Sequence, residues 1–187
     1  MTCVVLDWHE LSREHIQDLA GFTCADPEKP PRYELGVGKR PHPYPHELAV
    51  QNYVRGCSPR GTDLERTVQL GYDGAKLAAF VELAIQRDLD APRGRQDGQL
   101  LITCLAVDVE FRGKGKGDEA VLCGVMKAVE LGAMHEAVML DEDLPVPVWA
   151  QIRKQNLPSQ RLFRRHGFAP LWDHPTDPDC QEWVLVP

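Results

Sequence analysis

The sequence predicts an α/β (α+β) domain in which a sheet of about seven strands is flanked by about four helices. Three observations lead there. Leu100–Val107 is a nearly unbroken apolar run of strand length, followed by the glycine-rich turn Arg112-Gly113-Lys114-Gly115-Lys116-Gly117. Beyond that turn, Leu122, Val125, Met126 and Val129 recur at i, i+3, i+4, i+7, the spacing of a helix with one packed face. Arg66–Tyr72 and Lys76–Gln86 are strand-like runs meeting at Asp73-Gly74, a strong hairpin signal. A length of 187 residues suits one domain spanning 1–187, and 43% hydrophobic residues supports a substantial core.

The elements follow in chain order. Thr2–Asp7 reads as a first strand. Ser12 is a helix N-cap, with Leu11 and Ile16 placed as a hydrophobic staple and Ile16, Leu19 and Ala20 as the apolar stripe. From Ala25 to Pro45 six prolines make regular helix or strand unlikely, and a loop of this length is often a functional lid. Pro45 fits the first position of a second helix that ends at Gly56. After the hairpin and the loop Asp88–Gln99 come the central strand and helix. Glu136–Leu140 then reads as a fifth strand, ending in the acidic turn Asp141-Glu142-Asp143. A last helix starts near Pro158 with Ser159, Leu162, Phe163 and His166 on one face and stops at Gly167. Phe168–Trp172 and Glu182–Val186 close the chain as an antiparallel pair.

The glycine turn carries the chemistry. Glycines at alternate positions allow positive φ and let a ligand approach the amides, which at a helix start lack intrahelical acceptors and sit at the positive end of the dipole. A phosphate or diphosphate fits there, with Lys114 and Lys116 as charges at the rim and Asp118 and Glu119 turned away. A plain basic loop is the bland alternative. A nucleoside-triphosphate loop would need Ser or Thr where Gly117 stands. Gly115-Lys116-Gly117-Asp118-Glu119-Ala120 fits the dinucleotide form G-x-G-x-x-A, yet five residues, Asp108 to Arg112, part the strand from the first glycine, Gly113, and about half the chain precedes it, so that reading ranks lower.

Composition narrows the partners. A net charge of −7 argues against nucleic acid and suits an amine-bearing substrate. No apolar run reaches membrane-spanning length, and no charged-then-apolar leader opens the chain. Six scattered cysteines suggest a reduced, cytoplasmic setting rather than a disulfide framework. His42 and His46 with Cys24 or Cys57 lack a paired metal-binding spacing, so no metal is expected. His9, His15, His166 and His174 read as surface or capping residues. Glu82 interrupts the apolar run Leu77–Ile85; buried, its pKa would rise and suit a base near neutrality, while a cross-strand pair is the alternative.

Two motifs resemble a known family. Leu105-Ala106-Val107 followed by Arg112 to Gly117 looks like the acyl-coenzyme A signature R/Q-x-x-G-x-G/A of the GCN5-related N-acetyltransferase (GNAT) superfamily. Asn156 to Phe168 resembles that family's second motif, N-x-x-A/S-x-x-L-Y/F-x-x-x-G-F. The resemblance implies a mixed, mostly antiparallel sheet whose fourth and fifth strands splay to admit the coenzyme. It implies that acetyl-CoA is the acyl donor, held by Leu105, Ala106, Val107, Arg112, Gly113, Lys114, Gly115, Lys116, Gly117, Asn156, Ser159, Phe163 and Arg165. The acceptor would be a small-molecule or peptide amine, and the resemblance also allows a homodimer. Glu82, then Asp141, are the candidate catalytic bases. Phe163 departs from the pattern: many members have tyrosine there to protonate the leaving thiolate. A member that binds acyl-coenzyme A as a sensor without turnover is the alternative in a different class.

Overall fold

The structure is a computed structural model, and it describes residues 5–25, 32–34, 38–40, 45–59, 66–87, 98–134 and 147–185. Strand β1 (Asp7–Glu10) leads through a single 3-10 turn into α1 (Ile16–Gly21). Short strands β2 (Arg32–Glu34) and β3 (Gly38–Arg40) precede α2 (Pro45–Gly56). The hairpin β4 (Arg66–Asp73) and β5 (Lys76–Arg87) is followed by β6 (Gly98–Val107) and α3 (Lys116–Met134). Then come β7 (Val148–Arg153), α4 (Leu157–Arg165), β8 (Ala169–Asp173) and β9 (Cys180–Leu185).

Seven strands form one sheet in the order β1-β4-β5-β6-β7-β9-β8, and β2 pairs β3 in a separate ribbon. Every pairing in the large sheet is antiparallel except β6 with β7. The sheet is therefore mixed and mostly antiparallel, as expected. Helices cover both faces. Phe80 and Ala106 point to the α1/α2 side with Leu19, Phe22, Val54 and Leu70. Ala79, Val81 and Ile102 point to the α3 side with Val121, Ala128 and Phe163.

Hairpin, second helix and closing pair stand where the sequence placed them, and the turn at Gly74 has the positive φ of 62° that Asp-Gly invites. Four expectations are corrected. The first strand starts at Asp7, where it was expected to end. Pro-rich 25–45 is not strand-free, because residues flanked by prolines still pair as β2 and β3. Ile16 stays 38% exposed and so forms no staple under Leu11.

The fourth correction concerns α3. Leu122, Met126 and Val129 are 52%, 60% and 50% exposed, so three of the four stripe residues face outward, while Val125 is half-buried and packs against the core. The buried face is made of small residues, Ala120, Gly124 and Ala128, with Val121 and Leu131. At Gly124 a Cβ would stand 3.2 Å from Ile102 Cδ1 and 3.3 Å from Val81 Cγ1, so glycine sets how closely α3 lies on the sheet.

The expected fifth strand, Glu136–Leu140, and Asp141 lie outside the described residues. The strand beside β6 is β7, which follows Pro145 and Pro147 in the chain and was not expected as a strand from the sequence.

Candidate functional site

The site begins where β6 leaves its neighbour. Leu100, Leu101 and Ile102 pair in parallel with Val148, Trp149 and Ala150, and no later residue of β6 pairs with β7. At that point β6 carries a bulge: Glu82 of β5 faces Cys104, while Leu83 faces Ile102, leaving Thr103 as the extra residue. A bulge bends its strand and sharpens the twist, here turning Thr103–Val107 away from β7. Beyond the parting, β7 runs into Asn156, whose side chain accepts the Ser159 amide at 3.2 Å and caps α4. The motif asparagine is thus first of all a helix cap.

A cleft of about 660 Å³ occupies the gap. Its walls include Leu105, Ala106 and Val107 from β6, Gly113, Gly115 and Gly117 from the turn, and Asn156 and Ser159 from α4. Arg112, Arg161 and Arg165 also line it. Gly113 and Gly115 have φ of 73° and 80°, which L side chains rarely adopt, and a Cβ built on either meets nothing within 4 Å. Their backbone therefore faces open space. Asp118 and Glu119 donate their amides back to the Gly115 carbonyl at 3.0 and 3.3 Å, which starts α3 at this turn. The result is a positive helix end with bare backbone, opening on a cleft. It suits a diphosphate with an extended chain attached.

Side-chain charge is arranged differently from the expectation. Lys116 is 4% exposed and turns inward to Asp73 (3.4 Å) and Glu119 (3.1 Å), so it is not a rim charge. Glu119 also accepts the Leu6 amide at 2.6 Å, tying α3 to the chain before β1. Arg112 reaches the Cys24 carbonyl and lies 3.6 Å from a Glu47 oxygen, which fastens the turn to α2. Lys114 is exposed, its ammonium 5.4 Å from the centre of the Phe111 ring. Asp118 does not point away: it lines the cleft, bound by Arg165 and by His166, which is consequently no free surface histidine. Burial works against the Asp118 charge, but Arg165 and His166 outweigh it and hold its carboxyl below the usual range.

Glu82 is buried, with 3% exposure, but it is not a raised-pKa acid. Arg66 clamps it bidentately at 3.0 Å on both oxygens, and the Tyr53 hydroxyl donates to Oε2 at 2.5 Å. Desolvation pushes the carboxyl up; these hydrogen bonds push it down further, and the net direction is below the ordinary value. The expectation of a base poised near neutrality is therefore corrected. Glu82 does not line the cleft. It fastens α2 to the sheet at the bulge, where Thr103 Oγ1 donates to its carbonyl at 3.2 Å. Phe163 is also off the cleft wall, 4% exposed and edge-on to Phe168 at 5.0 Å between ring centres.

Asp108 was missed by sequence reasoning. It is 5% exposed; its carboxylate accepts the Thr23 amide at 2.8 Å and the Glu110 amide at 3.0 Å, joining the end of β6 to the segment after α1. An aspartate directly after an apolar strand was the available signal. Cys24, on the cleft wall, has its thiol pushed up to about 11 by burial, which leaves it unreactive at neutral pH. The cysteines among the described residues are all free, and no described helix is long and apolar enough to cross a membrane.

Comparison with known proteins agrees with this geometry. The model of the Acetyltransferase (GNAT) family matches residues 38–168. An acetyltransferase from Thermus thermophilus superposes with a TM-score of 0.59 at 15% identity over 100% of both chains. The GNAT domain of S. lividans PAT gives 0.62 at 13% identity, covering 97% of this chain and 90% of that one. AtaTR, solved with AcCoA bound, gives 0.60 at 11% identity over 96% and 93%. At such identities the likeness concerns the fold. Among curated proteins, none matches this sequence.

Proposed function

This chain belongs to the acetyltransferase (GNAT) family, and we propose that it transfers the acetyl group of acetyl-coenzyme A to a primary amine of a small molecule or peptide, by direct attack in a ternary complex. The observation that carries the reading is the parting of β6 from β7 directly above a turn whose Gly113 and Gly115 backbone faces open space. When bound, the coenzyme supplies an activated thioester whose thiol, with a pKa of about 8.5, is a tolerable leaving group.

The chain supplies binding and orientation. Amides from Gly113 to Gly117 would hold the diphosphate, and the main chain of Leu105 and Val107 would align the pantetheine amides, freed by the bulge from pairing with β7. The Val107 amide is the donor for charge developing on the carbonyl oxygen. Asn156 and Ser159 close the opposite wall. The attacking amine must be neutral, although its solution pKa is about 10. Glu82 is already committed to three donors, so water or Asp141 takes that proton. Phe163 cannot donate one, and the thiolate leaves without a dedicated acid.

The test pairs calorimetry with turnover. Wild type binds coenzyme A, and Gly115→Asp lowers affinity by roughly 100-fold or more, because a carboxylate enters the phosphate position and the residue must hold a φ of 80°. An amine panel with acetyl-coenzyme A then releases free coenzyme. Binding without release under any amine identifies a sensor instead; equal affinity in wild type and Gly115→Asp removes the assignment.

A further inference from the structure

Among the cations of the glycine turn, none is both on the cleft wall and uncommitted: Lys114 is exposed beside Phe111 and does not line the cleft. Arg112 is fastened to Cys24 and Glu47, and Lys116 is turned inward to Asp73 and Glu119. The side-chain cations remaining on the cleft wall are Arg161 and Arg165, one turn apart on α4. No ion pair of Arg161 lies among the described residues, whereas Arg165 is engaged. Its Nη2 bonds both oxygens of Asp118, at 2.9 and 3.1 Å, and its Nε reaches Oδ1 at 3.3 Å.

Asp118 is out of place electrostatically for an anion site. It stands in the first turn of α3 on the wall of the cleft, and alone it would repel a phosphate. It has a second partner. His166 Nε2 lies 2.9 Å from Oδ1, so the carboxylate keeps a hydrogen bond if Arg165 leaves. The Arg165 side chain is 59% exposed and has the reach to turn from Asp118 to a group at the cleft mouth.

We infer that Asp118 holds Arg165 in reserve for a ligand bearing a separate phosphomonoester in addition to its diphosphate, so that competition between this carboxylate and that phosphate sets the preference for coenzyme A over its 3′-dephospho form. Binding draws Arg165 onto the monoester, and His166 stays with Asp118. The inference rests on the coenzyme reading above. It makes Asp118 a specificity-determining residue although it touches no reacting atom.

The readout is the ratio of dissociation constants, 3′-dephospho-coenzyme A over coenzyme A, measured by calorimetry on the full chain. Both ligands share pantetheine and diphosphate, so changes in cleft width or foldedness cancel in the ratio. Asp118→Asn frees Arg165 and raises the ratio by roughly tenfold, the size of one charge-assisted hydrogen bond. Arg165→Gln brings the ratio to about one, alone and combined with Asp118→Asn. An unchanged ratio in Asp118→Asn, or a preference surviving Arg165→Gln, overturns the inference while leaving the coenzyme reading intact. If Asp118→Asn does not fold, Arg165→Gln against Arg161→Gln decides: equal losses in the two overturn it. Wild type that binds neither ligand overturns both readings together.

Discussion

At Glu82 a carboxylate that water no longer reaches is met by three donors, two from Arg66 and one from Tyr53. Removing one partner of a buried pair leaves the other uncompensated, which costs more than the pair itself contributes. Arg66 retains 26% side-chain exposure, so Glu82→Gln is expected to cost about 2–3 kcal/mol at pH 7 rather than the upper range for full burial. The sign of the pH dependence follows from the lowered carboxyl. A depressed folded-state pKa contributes stability above the ordinary glutamate value of 4.5, and the contribution disappears as pH falls through the folded value. Urea unfolding at pH 7 and pH 3 should therefore show the gap between wild type and Glu82→Gln narrowing in acid; an equal gap at both pH values would refute the clamp. Glu82 was legible as a misfit in an apolar run. Its partners, 16 and 29 residues away, were not, because nothing local in the chain says which cation folds back over a strand.

For α3 the same limit acts through size. Hydrophobic periodicity weighs bulk, and the bulky residues Leu122, Met126 and Val129 stand outside, while Gly124 and Ala128 lie against the sheet. Small residues bring the helix axis close, and close approach is what seats the turn against β6. Met126→Lys is expected to change stability by less than about 0.5 kcal/mol, whereas Val121→Ala, at 0% exposure, removes packed methyls and costs about 1–3 kcal/mol. Thermal unfolding of the two variants checks this, and a larger loss for Met126→Lys would restore the stripe as a packed face. The hairpin and α4 were read correctly because their signals are local: Asp73-Gly74 needs one positive φ, and α4 stops at Gly167 with a φ of 85°.

Across the whole molecule, the sheet is a fork. β6 pairs with β5 along its length but with β7 only at Leu100–Ile102, so the cleft is built into the strand order. A ligand seated in the fork binds only the folded chain. At 100 times its dissociation constant, coenzyme A is expected to add about 2.7 kcal/mol and raise the melting temperature by roughly 5–10 °C. Beyond the slowing that this added stability gives every core amide, hydrogen exchange should slow further in peptides covering 103–107 and 112–118, but not at 100–102, where pairing is already complete. Protection confined to the other side of the sheet would place the ligand elsewhere.

By itself the sequence determined the family, the number and order of most elements, and the glycine turn as an anion site, because those depend on neighbours along the chain: alternation, turn chemistry and positive φ. Tertiary structure decided which cations face the cleft. Lys116 is spent on Asp73 and Glu119, Arg112 on Cys24 and Glu47, and Arg165 on Asp118. It also decided that Val148–Arg153 forks from β6, and that Glu82 is an anchor and not a poised base. A charge's role depends on what lies within a few ångströms of it, and that distance is set by packing between segments far apart in sequence.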